Sequence, residues 1–434
     1  MKKTSMLMCA LLLGCGISTA NQADVGNRHS DKPKQLKVDW QYSLYSQVSA
    51  SPVVAGEQLL VAAENGNLYS FNLADRKFNW LYHTEAGIAS TPAVVDGRIY
   101  FLSRDGFFYA LEQATGKRLW RFATGGEARF AAIGGYGLPA DMGPVPEPWD
   151  FYLSSPLVHN GKIYFGSSDH HLYALDALSG ELIWSFDAGD SIHSSPVYAN
   201  NKIFFGTWGT RLYAVDAETG VEAWHFQGGT DREYSVMQGI TAAPAVDGNA
   251  VYIGARDGFV YALRQTDGAS IWRYDAAGSW VLSTAAIDEK NIYIGTSDTG
   301  LFLALDKKTG AEKYRADTRL WTYASPLLVQ NRYAFVGTMA GELYGFDKNT
   351  GKKLWYYQTP EGRADINDIV DGKTGKLRSE KIFAADKQTQ AGVEEVKALG
   401  AFVASPVWAD NQLIAVSATG EVLLFDFDNL KNNK

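Results

Sequence analysis

An aromatic residue returns about every forty positions along this chain: Trp40, Trp80, Trp120, Trp184, Trp224, Trp272, Tyr314 and Trp355. The steps are 40, 40, 64, 40, 48, 42 and 41 residues. A period near forty with an aromatic anchor is the mark of a β-propeller, in which each repeat is one blade that cannot bury both its faces alone.

The register inside the repeat supports this. Eleven residues before the anchors stand Tyr69, Tyr109, Tyr173, Tyr213, Tyr261, Leu303 and Tyr344. Four residues before them stand Gly116, Gly180, Gly220, Gly268, Gly310 and Gly351, with Arg76 in the first unit. Two alternating strands joined by a glycine-containing turn account for that spacing. A second strand pair precedes each, opening on Ser51-Pro52, Thr91-Pro92, Ser155-Pro156, Ser195-Pro196, Ala243-Pro244, Thr284-Ala285, Ser325-Pro326 and Ser405-Pro406. Four strands in eight units predict an all-β, eight-bladed propeller. The last unit, Ser405 to Asp426, has no anchor, and Trp40 has no unit before it. Residues near 38–44 are therefore expected to supply the outer strand of the last blade, which removes an open edge. The periodic tryptophans read as packing between blades.

The repeated Ala-Leu-Asp-Ala-x-Ser/Thr-Gly-x-x-x-Trp pattern, clearest at Ala174–Trp184 and Ala214–Trp224, resembles the pyrroloquinoline-quinone (PQQ) type repeat over residues 38–430. That resemblance implies the fold and leaves function open. The repeat is named for quinoprotein alcohol dehydrogenases, and the same ring serves as the propeller lipoprotein of the outer-membrane β-barrel assembly machinery, which is not an enzyme.

Residues beyond the repeat are where function is sought. Insertions at 127–150 and 361–400, with a smaller one at 227–239, all fall between an outer strand and the next inner strand, so all are expected on one face. Trp149, Tyr152, Trp208, Tyr234, Trp280, Trp321 and Phe402 gather at the same loops and form a candidate ligand or partner face. The alternative is that these rings pack the insertions down. The second insertion carries eight acids and seven bases, and its Val393–Leu399 end suits a short helix.

Met1-Lys2-Lys3 followed by an apolar run to Leu13 reads as a secretory signal over residues 1–20, too short to span a bilayer. Leu12-Leu13-Gly14-Cys15 resembles a lipobox with Cys15 as lipidation site, while Ser18-Thr19-Ala20 offers an ordinary cleavage site. Residues 21–37 read as a flexible tether. These features predict an exported, periplasmic protein whose one link to a membrane is an N-terminal lipid. The formal net charge is −8, and losing Lys2 and Lys3 makes it −10, which argues against nucleic acid as a partner.

The resemblance to quinoproteins implies PQQ stacked between a tryptophan and a disulfide of adjacent cysteines, with calcium nearby. Trp208, Trp280 and Trp321 are candidate stacking floors, but Cys9 and Cys15 are the only cysteines. His170, His171 and His193 are candidate metal ligands, and Asp365, Asp368 and Asp371 hint at calcium without the EF-hand order. The expectation is thus a non-catalytic envelope scaffold that binds a protein partner and needs no cofactor. The alternatives are a PQQ- and calcium-dependent dehydrogenase and a polysaccharide-binding propeller.

Overall fold

The computed structural model describes residues 32–134, 139–231, 238–382 and 389–427. Within them stand eight four-stranded blades in chain order. Blade one runs from the inner strand Val53–Ala55 through Gln58–Ala62 and Asn67–Asn72 to the outer strand Phe78–His83. Six more blades repeat it, ending on Arg118–Ala123, Leu182–Asp187, Glu222–Gln227, Ser270–Asp275, Glu312–Asp317 and Lys353–Gln358. The middle strands are mostly apolar and buried through their centres because a neighbouring blade covers each face. Leu60, Ala62 and Leu68 of blade one, for example, share one core with Ile99, Phe101 and Tyr109 of blade two.

Each anchor packs on the next blade. A Cβ on Gly116 would lie 2.5 Å from the Trp80 ring, one on Gly180 2.5 Å from Trp120, and one on Gly220 2.6 Å from Trp184. Gly268, Gly310 and Gly351 meet Trp224, Trp272 and Tyr314 in the same way. The turn glycine is needed twice over, for its left-handed φ and for the space a side chain would take. Every outer strand carries a bulge at the residue before its anchor, which throws Leu119, Ile183 and Ile271 outward.

The ring closes as expected. Val38–Ser43 pairs antiparallel with Glu421–Asp426 and completes blade eight. Where other turns hold glycine, Arg76 adopts φ 60° and pairs with Asp39 of the closing strand. At the other side of the seam Trp355 meets Phe427 edge-on at 5.0 Å. Order begins earlier than the predicted tether allows: Lys34–Gln35 adds a parallel strand to the outer edge of blade seven, and Leu36 is buried. The predicted signal and Cys15 lie outside the described residues.

The Ser/Thr that opens each inner strand links blades around the axis. The backbone N–H of Ser51 donates to Thr91, Thr91 to Ser155 and Ser155 to Ser195, at 2.9–3.0 Å. Thr284 donates to Ser325, Ser325 to Ser405 and Ser405 back to Ser51, again at 2.9–3.0 Å. Blade five interrupts this hydroxyl ring with Ala243.

Candidate functional site

The two long insertions rise from one face and share one core. The first folds as a hairpin, Ala131–Ile133 with Pro144–Pro146. The second contains the helices Pro360–Ala364, Ser379–Ile382 and Thr389–Lys397, the last displaced a few residues from the segment the sequence favoured. Trp149 of the first and Phe151 just after it pack with Ile369, Ile382, Val393 and Val396 of the second, over Tyr323 and Met339 of the ring. Arg129 donates to Gln390 at 3.0 Å across the two insertions. Gln47, at the junction of blades eight and one, donates to Glu394 at 2.7 Å and accepts from Lys397 at 2.5 Å. Burial lowers the Lys397 ammonium from its ordinary value, against the opposing pull of Glu394 and Glu64.

A polar network pins the first insertion. Ser168 Oγ lies 2.8 Å from His193 Nε2, and His193 Nδ1 lies 2.8 Å from Asp150 Oδ1. This is the order of hydroxyl, imidazole and carboxylate that activates a serine nucleophile. Here Ser168 Oγ also lies 3.0 Å from a Glu127 carboxyl oxygen and 2.8 Å from the Ala128 carbonyl, so its one proton has competing acceptors. A carboxylate thus stands where alkoxide charge would develop, the reverse of an oxyanion hole. His193 Nδ1 also faces the Trp208 indole N–H at 3.0 Å, so one nitrogen serves a donor and an acceptor in turn. Burial raises the Glu127 carboxyl, with hydrogen bonds from Ser167 and Ser168 opposing. Burial also pushes Asp150 up, but the charge and hydrogen bond of His193, with Arg104, hold it below its ordinary value.

The predicted aromatic face turns inward. Trp149, Trp208 and Phe402 are only 5, 1 and 1% exposed, and Tyr152, Trp280 and Trp321 are partly buried. Phe130 stacks on Trp208 at 4.4 Å and 2°. Arg256 fills the space on the Trp208 ring at 4.5 Å and on Trp280 at 4.2 Å, and donates to Glu147 at 3.0 Å. Trp149 meets Trp321 edge-on at 4.9 Å, and Phe402 packs at the blade-seven edge beside Tyr357. The rings therefore pack the insertions on the propeller, the alternative the sequence left open. Tyr234 lies outside the described residues.

The candidate metal ligands are not brought together. His193 is buried in the network above, His171 sits beside Asp169, and His170 occupies a positive-φ turn position. No group of three or more His, Cys, Asp or Glu among the described residues is placed to hold a metal. The aspartates that hinted at calcium are engaged. Asp371 accepts from Lys373, Thr374 N–H and Thr374 Oγ1, Asp365 from Ile369 and Val370, and Asp368 pairs with Arg378 and Lys381.

What the insertions do expose is aliphatic: Ile133 at 55%, Met142 at 63% and Ile366 at 91%. Sequence reasoning passed over them because it followed tryptophan. Each is an apolar residue in a Gly/Pro-rich or charged stretch without periodicity, which is the signal that was available.

Known proteins share this architecture. A family model described as outer membrane protein assembly factor BamB matches residues 32–140, 150–258 and 256–433; the unmatched 141–149 fall in the first insertion. The chain is 29% identical over 120 residues to outer membrane protein assembly factor BamB of Kangiella koreensis, covering 28% of this chain and 30% of that protein. It is 28% identical over 176 residues to quinohemoprotein alcohol dehydrogenase ADH-IIG of Pseudomonas putida, covering 36% and 24%. It spans less than two thirds of the length of these relatives. The crystal structure of BamB from Moraxella catarrhalis superposes with a TM-score of 0.65 at 16% identity, over 90% of this chain and 100% of that one. Quinohemoprotein alcohol dehydrogenase from Comamonas testosteroni gives 0.63 at 16%, over 90% and 76%. Likeness at that identity establishes the propeller alone.

Proposed function

The chain belongs to the outer membrane protein assembly factor BamB family, and from that premise we propose that it is a non-catalytic cell-envelope scaffold. Its insertion-bearing face binds a protein partner in outer-membrane protein assembly. The single observation that carries this reading is the pairing of two jointly packed insertions with exposed Ile133, Met142 and Ile366. Apolar side chains held outward on a fixed base make a contact surface with little ordering cost. The proposal includes export to the periplasm and attachment through a lipid on Cys15.

The quinoprotein reading is less well supported by the residues present. Trp208 has Phe130 on one face and Arg256 against it, and Arg256 also covers Trp280. A planar cofactor would have to displace a buried guanidinium from its carboxylate. The adjacent cysteines of that family have no counterpart in the sequence.

Deleting the second insertion would strip Met339 and Tyr323 of their cover, so charge substitution is the cleaner test. An Ile133→Glu, Met142→Glu, Ile366→Glu chain should keep its melting temperature and lose capture of barrel-assembly proteins from cross-linked envelope extracts. Undiminished capture would remove the assignment to this face. Dye-linked alcohol oxidation after loading with PQQ and calcium would favour the enzyme instead.

A further inference from the structure

We infer that the central channel holds a binding site for a neutral, polyhydroxylated small molecule of about monosaccharide size. A cavity of about 150 Å³ lies on the ring axis, with all eight blades contributing to its wall. A cavity of that size can take a small solute. The site is separate from the partner face and does not depend on that assignment.

Two layers of side chains bound it. The first is the hydroxyl ring. Each of Ser51, Thr91, Ser155, Ser195, Ser325 and Ser405 uses one lone pair to accept its neighbour's N–H. Its own proton and second lone pair remain to be used, so the ring presents donors and acceptors alike. The second layer, two residues earlier along the chain, is largely apolar, with Ala89, Leu153, Leu282 and Val403 beside Thr241 and the already engaged His193. Tyr323 completes this floor. It is 3% exposed and lines the cavity, so its phenol lies within reach of a bound solute.

Charge decides the ligand class. The lining includes one imidazole, His193, and its nitrogens already face Asp150, Trp208 and Ser168. Nothing in the wall would neutralise an anion or a cation, and an uncompensated charge is expensive to bury. A hydroxyl girdle around an aliphatic floor instead matches the O–H rim and C–H face of a polyol.

The test is calorimetry and saturation-transfer NMR on the purified full chain, with pentoses, hexoses and alditols, and with sulfate and acetate. At least one neutral polyol should bind, and the two anions should not. Ala243→Leu adds bulk at the one ring position that has no hydroxyl, so no ring hydrogen bond is lost; it should weaken binding about tenfold or more. Tyr323→Phe, which removes only the phenol oxygen, should weaken it too, and Ala243→Ser, which completes the ring, should strengthen it. The assignment fails if no polyol binds at about 10 mM, if the anions bind in preference, or if both weakening variants bind as the parent does.

Discussion

Arg256 and Glu147 meet at 3.0 Å with both side chains almost withdrawn from water, the arginine 1% and the glutamate 4% exposed. One belongs to a turn of blade five and the other to the first insertion, so the pair bolts the insertion to the ring. Removing one partner takes the facing opposite charge away from a group that stays buried. Glu147→Ala should therefore cost about 3–5 kcal/mol, whereas Glu147→Leu with Arg256→Met should cost far less, because an apolar pair of similar volume avoids the desolvation penalty. Urea unfolding of the single and double variants checks this. A single variant within about 1 kcal/mol of the parent would show that the bolt carries no stability.

The anchor-on-glycine contact can be separated from simple backbone strain. Gly220 has φ 71° and its missing Cβ would sit 2.6 Å from Trp184, while Gly56 has φ 62° and open space around it. Alanine at either position takes on the left-handed penalty of about 1 kcal/mol or more. Alanine at Gly220 must also push an indole out of its seat, which adds about 1–3 kcal/mol. The two variants, compared by chemical denaturation, should differ by at least about 1 kcal/mol. Equal losses would mean the tryptophans do not depend on the turns below them.

The scaffold was legible because every one of its devices repeats. Anchor, turn glycine, Ser-Pro opening and the orphan Trp40 each point to the same ring, and chain order alone places the insertions on one face. The interior of that face was not legible. Composition reveals that Trp149, Trp208 and Phe402 are surplus to the repeat but not that they point inward, since an insertion without periodicity has no readable buried side. Ser168, Asp150 and His193 come from two blades and an insertion, so their meeting follows from ring geometry and from no local motif. Arg256 precedes Asp257-Gly258 in an ordinary turn, and nothing nearby signals that its partner lies 109 residues away. Lys34–Gln35 is too short and too polar to read as a strand; its place comes from the open edge of blade seven.

Acid should act on one buried pair in a predictable window. Asp288 is 15% exposed and paired with Lys348, which is 4% exposed. Burial pushes its carboxyl up, but the hydrogen bond from Lys348 and the N–H groups of Asn291 and Lys290 bring it down to about 2. A carboxyl lowered in the folded state contributes stability above its unfolded value of 3.8, and that stability is lost as pH falls toward 2. Asp288→Asn should forfeit about 2 kcal/mol at neutral pH. Between about pH 4 and 2 its stability should then fall less steeply than the parent's, as followed by denaturation at fixed pH steps. Parallel acid limbs would rule out the pair as a source of acid sensitivity.

The seam between the chain's start and end is the one place where the ring depends on a segment far away in sequence. Val38–Ser43 supplies every outer-strand pairing of blade eight, and Asp39 supplies the partner of Arg76. A chain beginning at Ser46 would leave Glu421–Asp426 as an unpaired apolar edge, the configuration that invites pairing with another molecule. It should melt about 10 °C or more lower and elute as oligomers. A chain beginning at Lys37 keeps the closing strand and loses only the Lys34–Gln35 pairing and buried Leu36, worth about 2 kcal/mol of apolar burial, and should stay monodisperse. A synthetic peptide of residues 33–45 added to the shorter chain should restore its melting temperature, because the missing strand has an intact groove to enter. If the Ser46 chain melts like the parent, the remaining three strands suffice and closure is not what holds the ring.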